Sequence, residues 1–129
     1  MILAVDPGKE KCGIAVLDPG GNVLERKILP RESTVAAVPA YIARYRISTI
    51  VVGRGSFGKE MEKELSRLDL RISVVFVSES FSTVEARKRY WRENRPKGWK
   101  RLIPTSLLSP PVPVDDYAAV ILGERYLKG

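Results

Sequence analysis

Three apolar runs open the chain, and only short turns separate them. The runs cover residues 2–6, 11–18 and 23–29, and the second turn has the composition Asp-Pro-Gly-Gly-Asn. Turns this short join antiparallel neighbours, because a parallel connection needs a dozen or more residues. The opening is therefore predicted to be an antiparallel meander of three strands.

The remainder of the chain alternates between helical and strand patterns. Apolar spacing and turn residues predict helices over 33–45, 57–68, 82–94 and 114–127, with strands over 47–53 and 72–78. Ser33 is expected to cap the first helix, and Ser82 and Glu85 have the form of a capping box. The pattern predicts an α/β fold with a five-stranded mixed sheet and helices on both faces, built as a single domain over residues 1–129.

Three acidic residues fall at the ends of these elements. Asp6 ends the first strand, Glu79 follows the last strand, and Asp115 opens the last helix. The ends of central strands converge on one rim of an open sheet. A charged carboxylate beside a buried strand costs free energy unless it is paired or binds a metal. Each acid alone suits a turn or a helix N-terminus, but the three together favour a functional site. Asp116 is a weaker candidate, because adjacent helix positions point apart.

Histidine is absent from the sequence. That absence excludes Ser-His-Asp and Cys-His catalysis and any zinc site with a histidine ligand. Hydrolysis would therefore need carboxylates, lysine, a hydroxyl or a bound metal. Paired divalent ions about 3.5–4 Å apart hydrolyse phosphodiesters, and Mg²⁺ or Mn²⁺ prefers carboxylate ligands. Asp6, Glu79 and Asp115 are thus the predicted catalytic residues and metal ligands.

The net charge of +7 is concentrated in residues 87–101, which hold eight basic residues and one acid. The rest of the chain carries equal numbers of basic and acidic residues. Cations neutralise phosphates and exposed aromatic rings stack on unpaired bases, so this segment is predicted to bind nucleic acid. Of Tyr90 and Trp91, one is expected to face the core. The predicted nucleic-acid-binding residues are Arg87, Lys88, Arg92, Arg95, Lys97, Trp99, Lys100 and Arg101.

A second motif offers a rival function. Residues 53–58 spell G-x-G-x-x-G between a strand and a helix, with Glu79 about 20 residues further on, as in a dinucleotide-binding fold. Only one strand follows that helix, however, and the opening meander does not suit a doubly wound sheet. The glycines more plausibly allow a tight turn or a close backbone approach.

Cellular context is also predicted. The single cysteine, Cys12, lies in an apolar strand, where a buried thiol in a reducing cytoplasm is expected. No apolar run approaches the roughly 20 residues of a membrane helix, and the first residues lack the basic region of a signal peptide. A cytoplasmic protein without membrane association is therefore the expectation.

Three stretches of the sequence resemble the YqgF/RuvX family of ribonuclease-H-like Holliday junction resolvases, which are also implicated in trimming precursor 16S ribosomal RNA. Residues 2–16 resemble the first hairpin of the family, and residues 77–86 resemble its Asp-Glu-Arg-x-x-Thr-x-x-Ala block. Residues 114–122 resemble its last motif, an aspartate that opens an alanine-rich helix.

The resemblance implies a ribonuclease-H-like fold and an endonuclease that uses Mg²⁺ or Mn²⁺ on RNA or branched DNA. It places Asp6, Glu79 and Asp115 on the catalytic acids of the family. Junction resolution would also require two active sites, hence a homodimer. One departure matters: Ser78 and Ser80 stand where the family has an acid and an arginine. A nucleic-acid-binding module without catalysis therefore stays open as an alternative, and the G-x-G-x-x-G motif keeps a nucleotide-binding module as a less favoured one.

Overall fold

The computed structural model describes residues 1–55 and 57–129, and it leaves aside the side chain of Ser106. The strands are β1 (Ile2–Asp6), β2 (Lys11–Leu17), β3 (Val23–Pro30), β4 (Thr49–Gly53) and β5 (Ser73–Val77). The helices are α1 (Arg31–Tyr45), α2 (Gly58–Ser66), α3 (Ser82–Glu93) and α4 (Asp115–Lys128).

The five strands form one mixed sheet in the order β3-β2-β1-β4-β5. β1 pairs antiparallel with β2, which pairs antiparallel with β3, whereas β1, β4 and β5 run parallel to one another. The predicted meander and the mixed five-stranded sheet are confirmed. β1 lies at the centre, and its first four residues are buried because helices cover both of its faces.

Alternating side chains of the central strands pack into two hydrophobic cores, one on each face of the sheet. On one face Leu3 and Val5 pack with Met61 and Leu65 of α2 and with residues of α1. On the other face Ala4 and its neighbours pack against α4. Two-residue alternation along a strand explains why one short sequence supplies both cores.

Helix starts differ from the predictions. α1 begins at Arg31, two residues before Ser33, because Pro30 holds a φ of −54° that suits the start of a helix. Pro39 lies inside α1, which continues through it. At α3 the cap position is Phe81 in a left-handed conformation, and no side chain caps the helix. The capping box predicted from Ser82 is therefore wrong: Ser82 is already helical and buried.

The stretch between α3 and α4 was predicted to be a long loop. It contains two short 3-10 turns, Gly98–Leu102 and Thr105–Leu107. The basic segment thus combines the exposed face of α3 with the first of these turns. No helix in the described part of the chain is both long and apolar enough to cross a bilayer.

Candidate active site

Asp6 and Glu79 leave the sheet at the same rim, where the three parallel strands end. Asp6 is the last residue of β1 and is partly buried. β4 ends at Gly53, which pairs with Val77 at the end of β5. Glu79 follows two residues later, so parallel pairing brings both acids to one edge.

Two glycines make room for the side chain of Glu79. A Cβ atom at Gly53 would overlap Oε1 of Glu79, and a Cβ atom at Gly55 would overlap Oε2. Neither glycine has a positive φ, so both are needed here for space and not for backbone conformation. The carboxylate of Glu79 therefore lies directly against the loop that follows β4.

A third glycine admits Asp115. Gly13 pairs with Asp6 across the β1–β2 ladder, and a Cβ atom at Gly13 would overlap the backbone carbonyl of Asp115. The first turn of α4 consequently packs against β2 beside the end of β1. Asp115 reaches the neighbourhood of Asp6 although 109 positions separate them in the sequence.

The acids interact electrostatically. Burial, the charges of Glu79 and Asp115, and a hydrogen bond with Glu79 raise the pKa of Asp6 from 3.8 to about 7. Burial also raises the pKa of Glu79, although the hydrogen bond from Asp6 opposes that rise. Neighbouring carboxylates ionise together only at a cost, so these interactions favour the protonated form of Asp6 below about pH 7.

Two carboxylate oxygens are buried without a hydrogen-bond donor in the described structure: Oε1 of Glu79 and Oδ2 of Asp115. Lys11 Nζ lies 3.3 Å from Oδ2 of Asp115, an ion-pair distance that lacks the geometry of a hydrogen bond. Unsatisfied buried oxygens are costly, and hard divalent cations take such oxygens as ligands.

Among the described residues, no three acidic or cysteine side chains are already arranged as a metal-binding set. The chemistry of Asp6, Glu79 and Asp115 still fits a divalent cation, because a +2 charge would relieve their mutual repulsion and engage the donor-less oxygens. Side-chain rotations would have to bring their oxygens together.

Asp116 is occupied elsewhere. Arg26 Nε donates to its Oδ2 at 2.8 Å, and its Oδ1 accepts from the Tyr117 amide at 3.0 Å. This network separates Asp116 from the neighbouring Asp115, in agreement with its lower rank as a predicted ligand.

Arg125 supports the loop that carries Glu79, a role that no pattern in the sequence indicates. Its guanidinium donates to the carbonyls of Ser78 and Ser80, each at 2.7 Å, and lies 3.3 Å from the carboxylate of Glu85. The two carbonyls flank Glu79 on either side. No local sequence signal marks Arg125, because it lies in the last turns of α4.

The predicted nucleic-acid-binding side chains are all exposed at the surface. Within the described part of the chain, none of the seven cations among them forms an ion pair with a carboxylate. Arg89, the remaining cation of the segment, instead pairs with Glu124 at 2.7 Å and with Glu93 at 3.4 Å. Most of the local charge is thus free to meet a polyanion.

The G-x-G-x-x-G motif has another use here. Ser56, one of its residues, lies outside the described part of the chain. Gly53 and Gly55 border the Glu79 carboxylate, which would repel a pyrophosphate at that place. The antiparallel pairing of β1 with β2 also differs from a doubly wound parallel sheet.

Comparison with protein families decides the relationship. The family model described as "RuvX: Holliday junction resolvase" matches residues 1–129. The chain belongs to the RuvX family. The resemblance found in the three sequence motifs is thereby confirmed.

Relatives and solved structures extend this picture. Protein tex of Bordetella pertussis is 30% identical over 96 residues, covering 64% of this RuvX-family chain but only 12% of that protein. The Thermus thermophilus RuvC structure superposes with a TM-score of 0.55 at 13% identity, covering 99% of this chain and 96% of that one. Fowlpox virus resolvase, in its complex with Holliday junction DNA, superposes with a TM-score of 0.57 at 13% identity, covering 98% of this chain and 96% of that one. These superpositions confirm the ribonuclease-H-like fold of the RuvX-family chain.

Proposed function

We propose that this RuvX-family chain is a divalent-metal-dependent endonuclease that hydrolyses phosphodiester bonds in structured nucleic acid. The substrate is either a precursor of 16S ribosomal RNA or a Holliday junction. The observation that carries the proposal is the meeting of Asp6, Glu79 and Asp115 at one rim, with buried oxygens that lack donors among the described residues.

In this proposal Asp6, Glu79 and Asp115 would together hold the metal ions. Bound Mg²⁺ or Mn²⁺ would supply a nucleophile at neutral pH and charge stabilisation for the leaving oxygen. Asp6 must first release its proton, and because its pKa is raised, that proton is lost only as the pH approaches and passes about 7. The guanidinium of Arg125 binds the carbonyls of Ser78 and Ser80 on either side of Glu79, a contact called here the Arg125 clamp. This clamp would hold Glu79 in place.

The basic segment would hold the substrate backbone. Its cations lie on the exposed face of α3 and on the following turn, and α3 packs against α4, which carries Asp115. Phosphates bound there would lie on the same side of the sheet as the first turn of α4. Affinity should fall steeply with salt, because each neutralised phosphate releases counterions.

One incubation tests the mechanism. Labelled four-way junction DNA and precursor 16S rRNA are each incubated with the protein in Mg²⁺, Mn²⁺ or EDTA. Cleavage should require a divalent ion, and Asp6→Asn should abolish it while binding in EDTA stays within about twofold of wild type. Asp69→Asn is the matched control, because Asp69 is exposed in a left-handed turn that asparagine also tolerates. Equal cleavage by Asp6→Asn and wild type would refute the mechanism.

A second candidate is a nucleic-acid-binding module without catalysis. The replacement of the family's Asp and Arg by Ser78 and Ser80 favours it, as does the lack of a ready-made ligand set among the described residues. It predicts salt-sensitive binding in EDTA and no metal-dependent product from either substrate. The same incubation therefore separates the two candidates.

Resolution of a junction further requires two active sites, and we include a homodimer in the proposal for that substrate. Sedimentation with and without junction DNA would detect it. A monomer that cleaves precursor rRNA but not the junction would assign the RNA substrate instead.

A further inference from the structure

A groove of about 840 Å³ lies between the end of α3 and residues 95–111. Both tryptophans of the chain, Trp91 and Trp99, line it. Its volume is within the range of sites that hold a small organic ligand. It is separate from the candidate active site, because Asp6, Glu79 and Asp115 do not line it.

The charge of the groove is strongly positive. Four exposed cations line it, and none of them pairs with a carboxylate in the described structure: Arg92, Arg95, Lys97 and Lys100. The one acid in the lining, Glu93, already faces Arg26 at 3.6 Å and Arg89 at 3.4 Å. A negatively charged occupant is therefore favoured over an apolar protein surface.

The aromatic residues provide surfaces for a planar group. The side chain of Trp99 is 69% exposed, although an indole is usually largely buried. Trp91 also lines the groove, and its Nε1 donor is buried without an acceptor in the described structure. A ligand acceptor near Trp91 would satisfy that donor after a small side-chain shift.

The groove lies next to the first turn of α4. Tyr90 packs edge-on against Trp91, with ring centroids 5.0 Å apart, and against Tyr117, at 5.8 Å. Tyr117 follows Asp115 by two residues. One aromatic row thus connects the groove with the helix start that carries an acid of the candidate active site.

We infer that this groove binds an unpaired nucleotide of the substrate, with its base stacked on Trp99 and its flanking phosphates on the surrounding cations. In a duplex both faces of a base are covered by its neighbours, so an indole can stack only on a base that has left the helix. Cations alone would suffice to track duplex phosphates; the exposed indole is explained by an unpaired base. The inference rests on the proposed function and specifies its substrate class.

Binding measurements in EDTA test the inference without interference from cleavage. Fluorescence anisotropy would compare a 12-nucleotide single strand, the same strand made abasic, and a blunt-ended duplex of two separate strands with the same number of phosphates. Trp99→Ala should weaken binding of the normal strand about tenfold or more, and Trp99→Phe should weaken it less. Neither variant should change binding of the abasic strand or the duplex by more than about twofold.

Leu102→Ala is the matched control. Leu102 is 82% exposed on the same turn as Trp99 but does not line the groove. It should bind all three probes like wild type. Equal losses for Trp99→Ala and Leu102→Ala, or equal losses on single strand and duplex, would overturn the inference. A change in oligomeric state on Trp99→Ala, with unchanged binding of all probes, would instead make the groove a protein contact.

Failure of this inference can be told apart from failure of the proposed function. Metal-dependent cleavage that Asp6→Asn abolishes, combined with no base-dependent effect of Trp99→Ala, would overturn the nucleotide groove alone. Base-selective binding through Trp99 without any metal-dependent cleavage would support the groove and refute the nuclease.

Discussion

The carboxylate of Glu79 fills the space that a side chain at residue 55 would occupy. Gly55→Ala should therefore displace Glu79 and lower metal-dependent cleavage at least tenfold, with little change in the free energy of unfolding, because the displaced atoms are the end of a flexible side chain. Cleavage rates and calorimetric Mn²⁺ binding would measure the effect. Gly20→Ala is the control, because a Cβ there meets its nearest atom, Asp18 Oδ1, at 3.4 Å. Unchanged Mn²⁺ binding in Gly55→Ala would contradict the role assigned to Glu79.

Neighbouring aspartates at the start of α4 should behave differently. Asp115→Asn is expected to reduce cleavage about a hundredfold or more, because it removes a charge from the ligand set. Asp116→Asn should keep cleavage within about fivefold of wild type and lower the free energy of unfolding by roughly 1 kcal/mol, because Asp116 pairs with Arg26. Cleavage at saturating Mn²⁺ and urea unfolding of both variants would measure these effects. A greater loss of cleavage in Asp116→Asn than in Asp115→Asn would reverse the assignment of the metal ligand.

Arg125 is expected to act as a positioning residue. Arg125→Gln removes both donors to the carbonyls beside Glu79, so about tenfold more Mn²⁺ should be needed for half-maximal cleavage. Nucleic-acid binding in EDTA should stay within about twofold of wild type. Arg44→Gln is the control, because Arg44 is an exposed residue of α1 that pairs with Glu25 of β3. This variant should leave the Mn²⁺ requirement unchanged. If the two variants show the same Mn²⁺ requirement, the clamp has no role in the site.

Asp6 makes the stability of the metal-free protein depend on pH. Its pKa is about 7 in the folded state and near the ordinary 3.8 in the unfolded chain, so the folded state binds more protons between these values. Stability should therefore fall as pH rises from about 4 to 7, by roughly 1–3 kcal/mol, and level off above that.

Urea unfolding in EDTA at pH 5 and pH 8 would measure this difference. Asp6→Asn carries no titrating group at this position, so most of the difference should disappear and the variant should be more stable than wild type at pH 8. Added Mn²⁺ should stabilise wild type at pH 8 far more than Asp6→Asn. A metal-free wild type that is more stable at pH 8 than at pH 5 would contradict the electrostatic account.

Much of the fold could be predicted from local patterns. Alternation and short turns indicated the β1–β2–β3 meander, and helical spacing indicated the elements that follow. Asp6 could be placed at the rim because a strand end and a tight turn are both visible within residues 2–8. Local patterns were weaker at helix starts, where Pro30 and Phe81 displaced the predicted caps.

Tertiary structure decided the relations between distant side chains. The space that Gly53 and Gly55 leave for Glu79, and the Arg125 contacts across the Glu79 loop, depend on how strands and helices pack. Trp91 and Trp99 share a groove only because the chain turns back after α3. Hydrophobic periodicity specifies which face of an element is buried, but the distance between two side chains depends on the packing of whole elements. The order of the elements and the rim at which the acids lie were therefore readable from the residues, whereas the individual contacts around those acids were not.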